Sequence, residues 1–180
     1  MSMVERLALM FLAPIIVTLH ACDAETNAPP GSSSAAIFPD IDADTRPRTS
    51  VLVFKSETCG CCEKWINHMR QAGFDVRVEH PGSLDGTKDR LGIPEEVRSC
   101  HTAVSPDGYV FEGHVPAAIV RRFLADAPEG SVGLAVPGMP IGSPGMEVGD
   151  RFEAYDVVLL HKDGSQGVYA RVEGAEDQTH

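Results

Sequence analysis

Three cysteines within four residues, Cys59, Cys61 and Cys62, constrain this chain more than any other stretch. They follow a short apolar run, residues 51–54, and a polar turn. The run predicts a buried strand, and the apolar spacing of residues 60–73 predicts an amphipathic helix. The three sulfurs would then lie at a helix N-terminus, where backbone N–H groups and the helix dipole favour thiolates. Thiolates are both nucleophiles and soft-metal ligands, so the sequence allows redox or metal chemistry here.

Composition limits the class of protein and its partners. The chain has 180 residues, a formal net charge of −11 and a pI near 5.0. Such a surface repels nucleic-acid phosphates, so we expect no nucleic-acid partner. A hydrophobic content of 43% is enough for one globular core. Of the 5 cysteines, all but Cys22 fall within residues 59–100, which indicates a site rather than a disulfide scaffold.

The N-terminal residues predict export. An uncharged apolar run, residues 7–19, is too short for a membrane-spanning helix and predicts a signal peptide over residues 1–21. The run ends in Leu19-His-Ala-Cys22, which resembles a bacterial lipobox, so Cys22 is the expected lipidation site. A soluble exported protein is the alternative. Residues 22–50 are rich in Pro, Ser, Ala and Asp and predict a flexible tether. We therefore expect a periplasmic protein whose membrane contact is a lipid anchor, in the inner or the outer membrane.

Residues 51–172 predict one α/β domain. The expected order is strand, helix, strand, short helix, hairpin and helix, which is the order of a thioredoxin-like mixed sheet flanked by helices. The later members of this series are expected at residues 74–79, 84–91, 102–104, 109–111 and from Pro116 onward. A Gly/Pro-rich loop without regular structure, residues 130–149, is expected next, followed by a C-terminal β-hairpin extension over residues 154–161 and 167–172. The acidic tail, residues 173–180, is predicted to be disordered.

A fourth cysteine, Cys100, and the adjacent His101 directly precede the third predicted strand. In thioredoxin-like folds the loop entering that strand faces the N-terminus of the active-site helix, so both residues should lie against the three cysteines. Four thiolates and an imidazole form a soft-metal site. Zinc accepts such ligands tetrahedrally, but Cu(I) is softer and also accepts thioethers. Met139 and Met146, on the glycine-rich loop, are therefore candidate ligands or a lid, with local packing as the alternative.

One further histidine, His114, lies at a predicted strand end just before Pro116. It could supply another metal ligand or simply cap the turn. The sequence leaves both readings open.

Six motifs together resemble the CopG-type periplasmic copper-resistance family, often described only as a domain of unknown function. The resemblance covers residues 51 to about 160. It implies a thioredoxin-like fold, copper binding by these cysteines and a role in copper tolerance. Copper ions are the implied partners, together with other periplasmic copper-handling or efflux proteins. The motifs are Cys59-Gly-Cys-Cys62, Ser99-Cys-His-Thr-Ala103, Glu112-Gly-His-Val-Pro116, Gly133-Leu-Ala-Val-Pro-Gly-Met-Pro140, Gly142-Ser-Pro-Gly-Met146 and Tyr155-Asp-Val-Val158.

Several alternatives stay open at this point. The chain could be a thiol–disulfide oxidoreductase, with Cys59 attacking and Cys62 resolving, although Cys61 and the missing cis-proline count against it. Exported thiols also oxidise, so Cys59–Cys62 and Cys61–Cys100 could be structural disulfides. A structural zinc site is a third alternative. Several Cu(I) ions could share bridging thiolates, and cycling between Cu(I) and Cu(II) would make the protein a copper oxidoreductase.

Overall fold

The computed structural model describes residues 49–179, which form a mixed α/β fold around a seven-stranded sheet. The α/β class predicted from the sequence is confirmed. The α-helices among the described residues are α1 (Gly60–Gln71), α2 (Leu84–Arg90) and α3 (Ala117–Ala125). The strands are β1 (Ser50–Lys55), β2 (Asp75–Glu79), β3 (His101–Val104), β4 (Val110–Glu112), β5 (Ser131–Ala135), β6 (Tyr155–His161) and β7 (Gln166–Val172). Short 3₁₀ helices lie at Glu95–Val97 and Ala175–Gln178.

Strand β1 lies inside the sheet and brings two distant segments together. The strand order is β2-β1-β3-β4-β5-β6-β7. β1 is parallel to β2 and antiparallel to β3, and Lys55 at the end of β1 pairs with His101 at the start of β3. Because α1 begins shortly after β1 ends, the N-terminus of α1 lies near the segment that leads into β3.

Both faces of β1 are buried, which explains why its sequence does not alternate between apolar and polar residues. Val51 and Val53 belong to the larger core, together with residues of α1 and α3. Leu52 and Phe54 face a second, smaller core.

Helix α1 buries the apolar face that its sequence predicts. Cys62, Trp65, Ile66 and Met69 are all fully buried. Cys59 is the N-cap residue, and its sulfur accepts a hydrogen bond from the backbone N–H of Cys62 at 3.3 Å. Cys62 therefore faces the core with the apolar side of α1, while Cys59 and Cys61 stay partly exposed.

The Gly/Pro-rich segment contains a strand that the sequence did not predict. β5 pairs with β4 on one side and β6 on the other, so it lies inside the sheet. A Cβ atom on Gly133 would fall 1.9 Å from the carbonyl oxygen of Val110. Glycine is required there by the close approach of two strands, whereas composition alone suggested irregular structure.

The C-terminal residues form the expected hairpin, β6 and β7, at the edge of the sheet. In the tail, which was expected to be disordered, residues 175–178 form a 3₁₀ helix. The side-chain amide of Gln178 donates to the carbonyl of Gly142 at 2.7 Å and ties this turn to the loop before β6.

The predicted signal peptide, lipidation site Cys22 and tether lie outside the described residues and stay predictions. Within residues 49–179, no helix is long and apolar enough to cross a membrane.

Candidate metal centre

Four cysteine sulfurs converge where α1 begins and β3 is entered. Cys59, Cys61, Cys62 and Cys100 each offer a sulfur within 4.8 Å of the other three. The sulfurs of Cys59 and Cys61 are 3.5 Å apart, and those of Cys61 and Cys100 are 3.7 Å apart. The structure thus brings together the four cysteines that the sequence singled out.

Two of these cysteines are joined in the structure. Cys59 and Cys62 form a disulfide, while Cys61 and Cys100 are free thiols of intermediate burial. Of the two disulfides considered from the sequence, the structure contains the first and not the second. In this oxidised state two thiols are available, and reduction would provide four.

Cys100 also belongs to a second group of donors, with two imidazoles. Its sulfur lies 3.3 Å from Nδ1 of His101 and 3.1 Å from Nε2 of His114. The three donor atoms lie within 4.8 Å of one another. Cys100 therefore connects the cysteine cluster to the histidines.

The tautomer of His114 follows from its partners. Its Nδ1 lies 2.8 Å from the carbonyl oxygen of Pro144, which can only accept, so Nδ1 carries the proton. Burial lowers the pKa of His114, so the ring is neutral at pH 7. Neutral His114 directs the Nε2 lone pair toward Cys100, as a metal-binding histidine does.

His101 is fully buried, as His114 is, and its ring packs against Trp65, with ring centroids 4.4 Å apart. Burial, reinforced by the nearby His114, Lys88 and Lys55, lowers the pKa of His101 well below its usual value. Its Nε2 atom has no hydrogen-bond partner among the described residues. The nitrogen beside the Cys100 sulfur is Nδ1, so neutral His101 fits a role as a nitrogen ligand through that atom.

Cys100 is a protonated thiol in the metal-free protein. Burial, together with the nearby Cys61 sulfur, raises the pKa of Cys100 to about 12. Because a metal binds thiolate, binding must displace the proton of this thiol. The combined set of soft sulfurs and neutral imidazoles suits copper or zinc rather than Mg²⁺ or Ca²⁺.

Comparison with known proteins shows which family this chain belongs to. Residues 97–146 match the family described as "Protein of unknown function, DUF411". Two solved structures of "Copper resistance protein copG", Form 1 and Form 2, are 46% and 45% identical to the chain, each with a TM-score of 0.65. The matches cover 69% and 68% of this chain and 98% and 97% of those chains. This chain belongs to the CopG copper-resistance family. No curated protein sequence gives a significant match.

The two loop methionines of this CopG family member occupy different positions. Met146 and Cys61 both line a shallow pocket of about 370 Å³ outside the N-terminus of α1. Met139 is 50% exposed, next to Gly138, whose carbonyl accepts a hydrogen bond from the Ser99 hydroxyl at 2.5 Å. The structure places Met146 in the same pocket as Cys61 and leaves Met139 at the surface.

Three buried charged residues near the site were not identified from the sequence. The side chains of Lys55, Lys88 and Glu112 are at most 1% exposed. Lys55 pairs with the half-exposed Glu63 at 2.9 Å. Glu112 is the one charged residue of the three-residue strand β4. Its position between an apolar run and a glycine is the sequence signal that could have indicated its burial.

Proposed function

We propose that this protein is an exported copper-binding protein of copper tolerance that holds Cu(I) through Cys59, Cys61, Cys62 and Cys100. The convergence of these four sulfurs, in a member of a copper-resistance family, is the observation that carries the proposal. Two sulfurs bound to one metal ion at about 2.3 Å, the Zn–S distance, lie about 4 Å apart when the ion takes three sulfurs. The 3.5 Å and 3.7 Å separations of neighbouring sulfurs in this chain are a few tenths of an ångström shorter, so small shifts would let neighbouring sulfurs share an ion.

Reduction of the Cys59–Cys62 disulfide is required before all four sulfurs can bind. Each Cu(I) takes two or three sulfurs, so we propose that Cys61 and its neighbours bridge several ions in one cluster. His101 and His114 are proposed as additional nitrogen ligands, and Met146 as a thioether ligand. Cu(I)/Cu(II) cycling at this site is part of the proposal, with an external one-electron acceptor oxidising Cu(I) and an external one-electron donor reducing Cu(II), because imidazoles beside thiolates bind both oxidation states.

A thioredoxin-like fold and a periplasmic location are also part of the proposal. We propose that β1 to β4, with α1 to α3, form a thioredoxin-like unit. The order β2-β1-β3-β4 and the Cys-x-x-Cys pair at the start of α1 support it. The lipobox-like segment ending at Cys22 supports export and lipid anchoring in the periplasm. Copper-handling or efflux proteins of that compartment are the proposed partners.

Copper titration of the reduced chain tests the proposal. The metal-free protein is titrated with Cu(I) against a chromogenic chelator, and bound metal is measured by elemental analysis. We expect more than one copper per chain, with less in each single serine variant of the four cysteines. Cys22→Ser is the matched control and should bind as the wild type does. Saturation at one copper would exclude the cluster, and zinc retained after copper exposure would favour a structural zinc site.

A thiol–disulfide oxidoreductase is the second candidate. The Cys59–Cys62 disulfide at a helix N-terminus favours it, with Cys62 fully buried and Cys59 more accessible. The metal-free protein would then reduce insulin or refold scrambled ribonuclease. We expect little activity, and strong activity would replace copper binding as the main function.

A further inference from the structure

A buried ion pair, Lys88 and Glu112, contacts the chain segment that contains Cys100. Glu112 is fully buried, and the side chain of Lys88, from α2, is 1% exposed. The Lys88 ammonium donates to Oε1 of Glu112 and, at 2.9 Å, to the hydroxyl of Thr102. The same hydroxyl donates to Oε2 of Glu112 at 2.6 Å. Both oxygens of the carboxylate are thus satisfied by side chains from α2 and β3.

The carboxylate also holds the backbone next to Cys100. Oε1 of Glu112 accepts a hydrogen bond from the backbone N–H of Ser99 at 2.6 Å. On the other side of Cys100, the carbonyl of His101 accepts from the N–H of Gly113 at 3.0 Å. The peptide groups on both sides of Cys100 are therefore held by β4 and the residue that follows it.

A contribution to folding stability is a poor explanation for burying the Lys88–Glu112 ion pair. Two buried charges lose their hydration, and well-packed apolar residues often replace such a pair without loss of stability. What an apolar pair cannot supply is an acceptor for the N–H of Ser99. Cys100 is the cysteine whose sulfur contacts Cys61, His101 and His114, so an error in its position would change its distance to all three.

We propose that Glu112 and Lys88 are positioning residues that fix the backbone at Ser99, and with it the sulfur of Cys100, for metal binding. The inference rests on the proposed copper function. Lys88 holds the carboxylate in one orientation through its hydrogen bond to Oε1, and the carboxylate holds the backbone N–H of Ser99. Outer residues of this kind change metal affinity by about 10–100-fold when they are replaced.

Two double variants of the full chain separate positioning from charge. Lys88→Met with Glu112→Leu removes both charges and the acceptor for Ser99. Lys88→Met with Glu112→Gln also removes both charges but keeps a carbonyl oxygen for that N–H. The glutamine variant is therefore the matched control. Hydrogen exchange of the Ser99 amide is measured in the metal-free proteins, and Cu(I) affinity is measured by chelator competition.

We expect the Ser99 amide to exchange at least about tenfold faster in the leucine variant than in the glutamine variant. Cu(I) affinity should be about 10–100-fold lower in the leucine variant than in the glutamine control. Equal Ser99 exchange in the two variants would overturn the inference. So would faster exchange with unchanged Cu(I) affinity, because the pair would then be only structural.

Failure of the proposed function is seen separately, as wild-type protein that binds no Cu(I) in the same assay. If the leucine variant does not fold, Thr102→Val replaces it, since it removes one donor to Glu112 and keeps the side-chain shape. Ser99 exchange and Cu(I) affinity should then change in the same direction by a smaller factor, and Thr102→Ser should restore both. Wild-type behaviour of Thr102→Val would count against the inference.

Discussion

Nε2 of His114 lies 3.1 Å from the sulfur of Cys100, while Nδ1 of the same ring donates to the carbonyl of Pro144 at 2.8 Å. The loop containing Pro144 therefore decides which nitrogen of the ring is free to face the sulfur. Because the loop is held close to α1, the N-terminus of the helix, the loop and the histidine depend on one another.

Gly145 is the residue that allows this close approach. Its φ is +92°, and an added Cβ would lie 2.7 Å from the carbonyl oxygen of Cys61 and 2.9 Å from the backbone nitrogen of Trp65. We predict that Gly145→Ala lowers the free energy of unfolding by about 2 kcal/mol more than Gly149→Ala does. Gly149 is a matched control, with a φ of +56° and open space around it. Urea unfolding measures both, and equal losses would show that the loop is not tightly packed on α1.

Copper binding should release the proton of Cys100. With its pKa raised to about 12, this thiol is protonated at neutral pH, and Cu(I) binds only after the proton leaves. Apparent Cu(I) affinity should therefore rise between pH 6 and 8, and each displaced proton contributes about tenfold per pH unit. Chelator competition at several pH values should give a slope that is smaller by about one proton in Cys100→Ser. An unchanged slope would show that Cys100 is not a ligand.

Acid should destabilise the metal-free protein through the half-buried His68. Burial lowers the pKa of His68, whose Nε2 accepts a hydrogen bond from the N–H of Ala117 at 3.0 Å. A lowered pKa means that the folded state binds fewer protons, so stability is complete above about pH 6.5 and falls as the pH falls below it. Urea unfolding from pH 8 to 5 should show a shallower decline in His68→Gln, where the amide oxygen still accepts. An identical pH dependence would contradict this role of His68.

The redox state of the Cys59–Cys62 pair should control copper capacity. In a Cys22→Ser background, the oxidised protein should show two free thiols after denaturation, those of Cys61 and Cys100, and should bind fewer Cu(I) ions than the reduced protein. Reduction should also lower the free energy of unfolding by about 2 kcal/mol, given the short loop that the bridge closes.

The double variant Cys59→Ser with Cys62→Ser serves as the control for this experiment. It cannot form the bridge, so reductant should change neither its copper capacity nor its stability. Equal copper binding by oxidised and reduced wild-type protein would contradict the prediction.

Local patterns in the sequence predicted much of the secondary structure. The apolar spacing of residues 60–73 predicted α1, whose Trp65 and Met69 are buried, because helical periodicity is encoded by neighbours three or four positions apart. β5 was missed for the opposite reason, since the need for Gly133 arises from a distant strand that contacts its backbone. Nothing in the local sequence around Lys88 indicated burial, because its charge is compensated by Glu112, a residue distant in the chain.

The amino-acid sequence alone identifies the metal-binding groups of this protein: three sulfurs at the start of one helix and a fourth before a strand, in motifs of a copper-resistance family. Their arrangement in space follows from long-range packing. The pairing of β1 with β3 brings Cys100 within 3.7 Å of Cys61, and the packed loop orients His114. These are contacts between residues far apart in the chain, and their geometry depends on how sheet, helix and loop pack together rather than on any local pattern of residues.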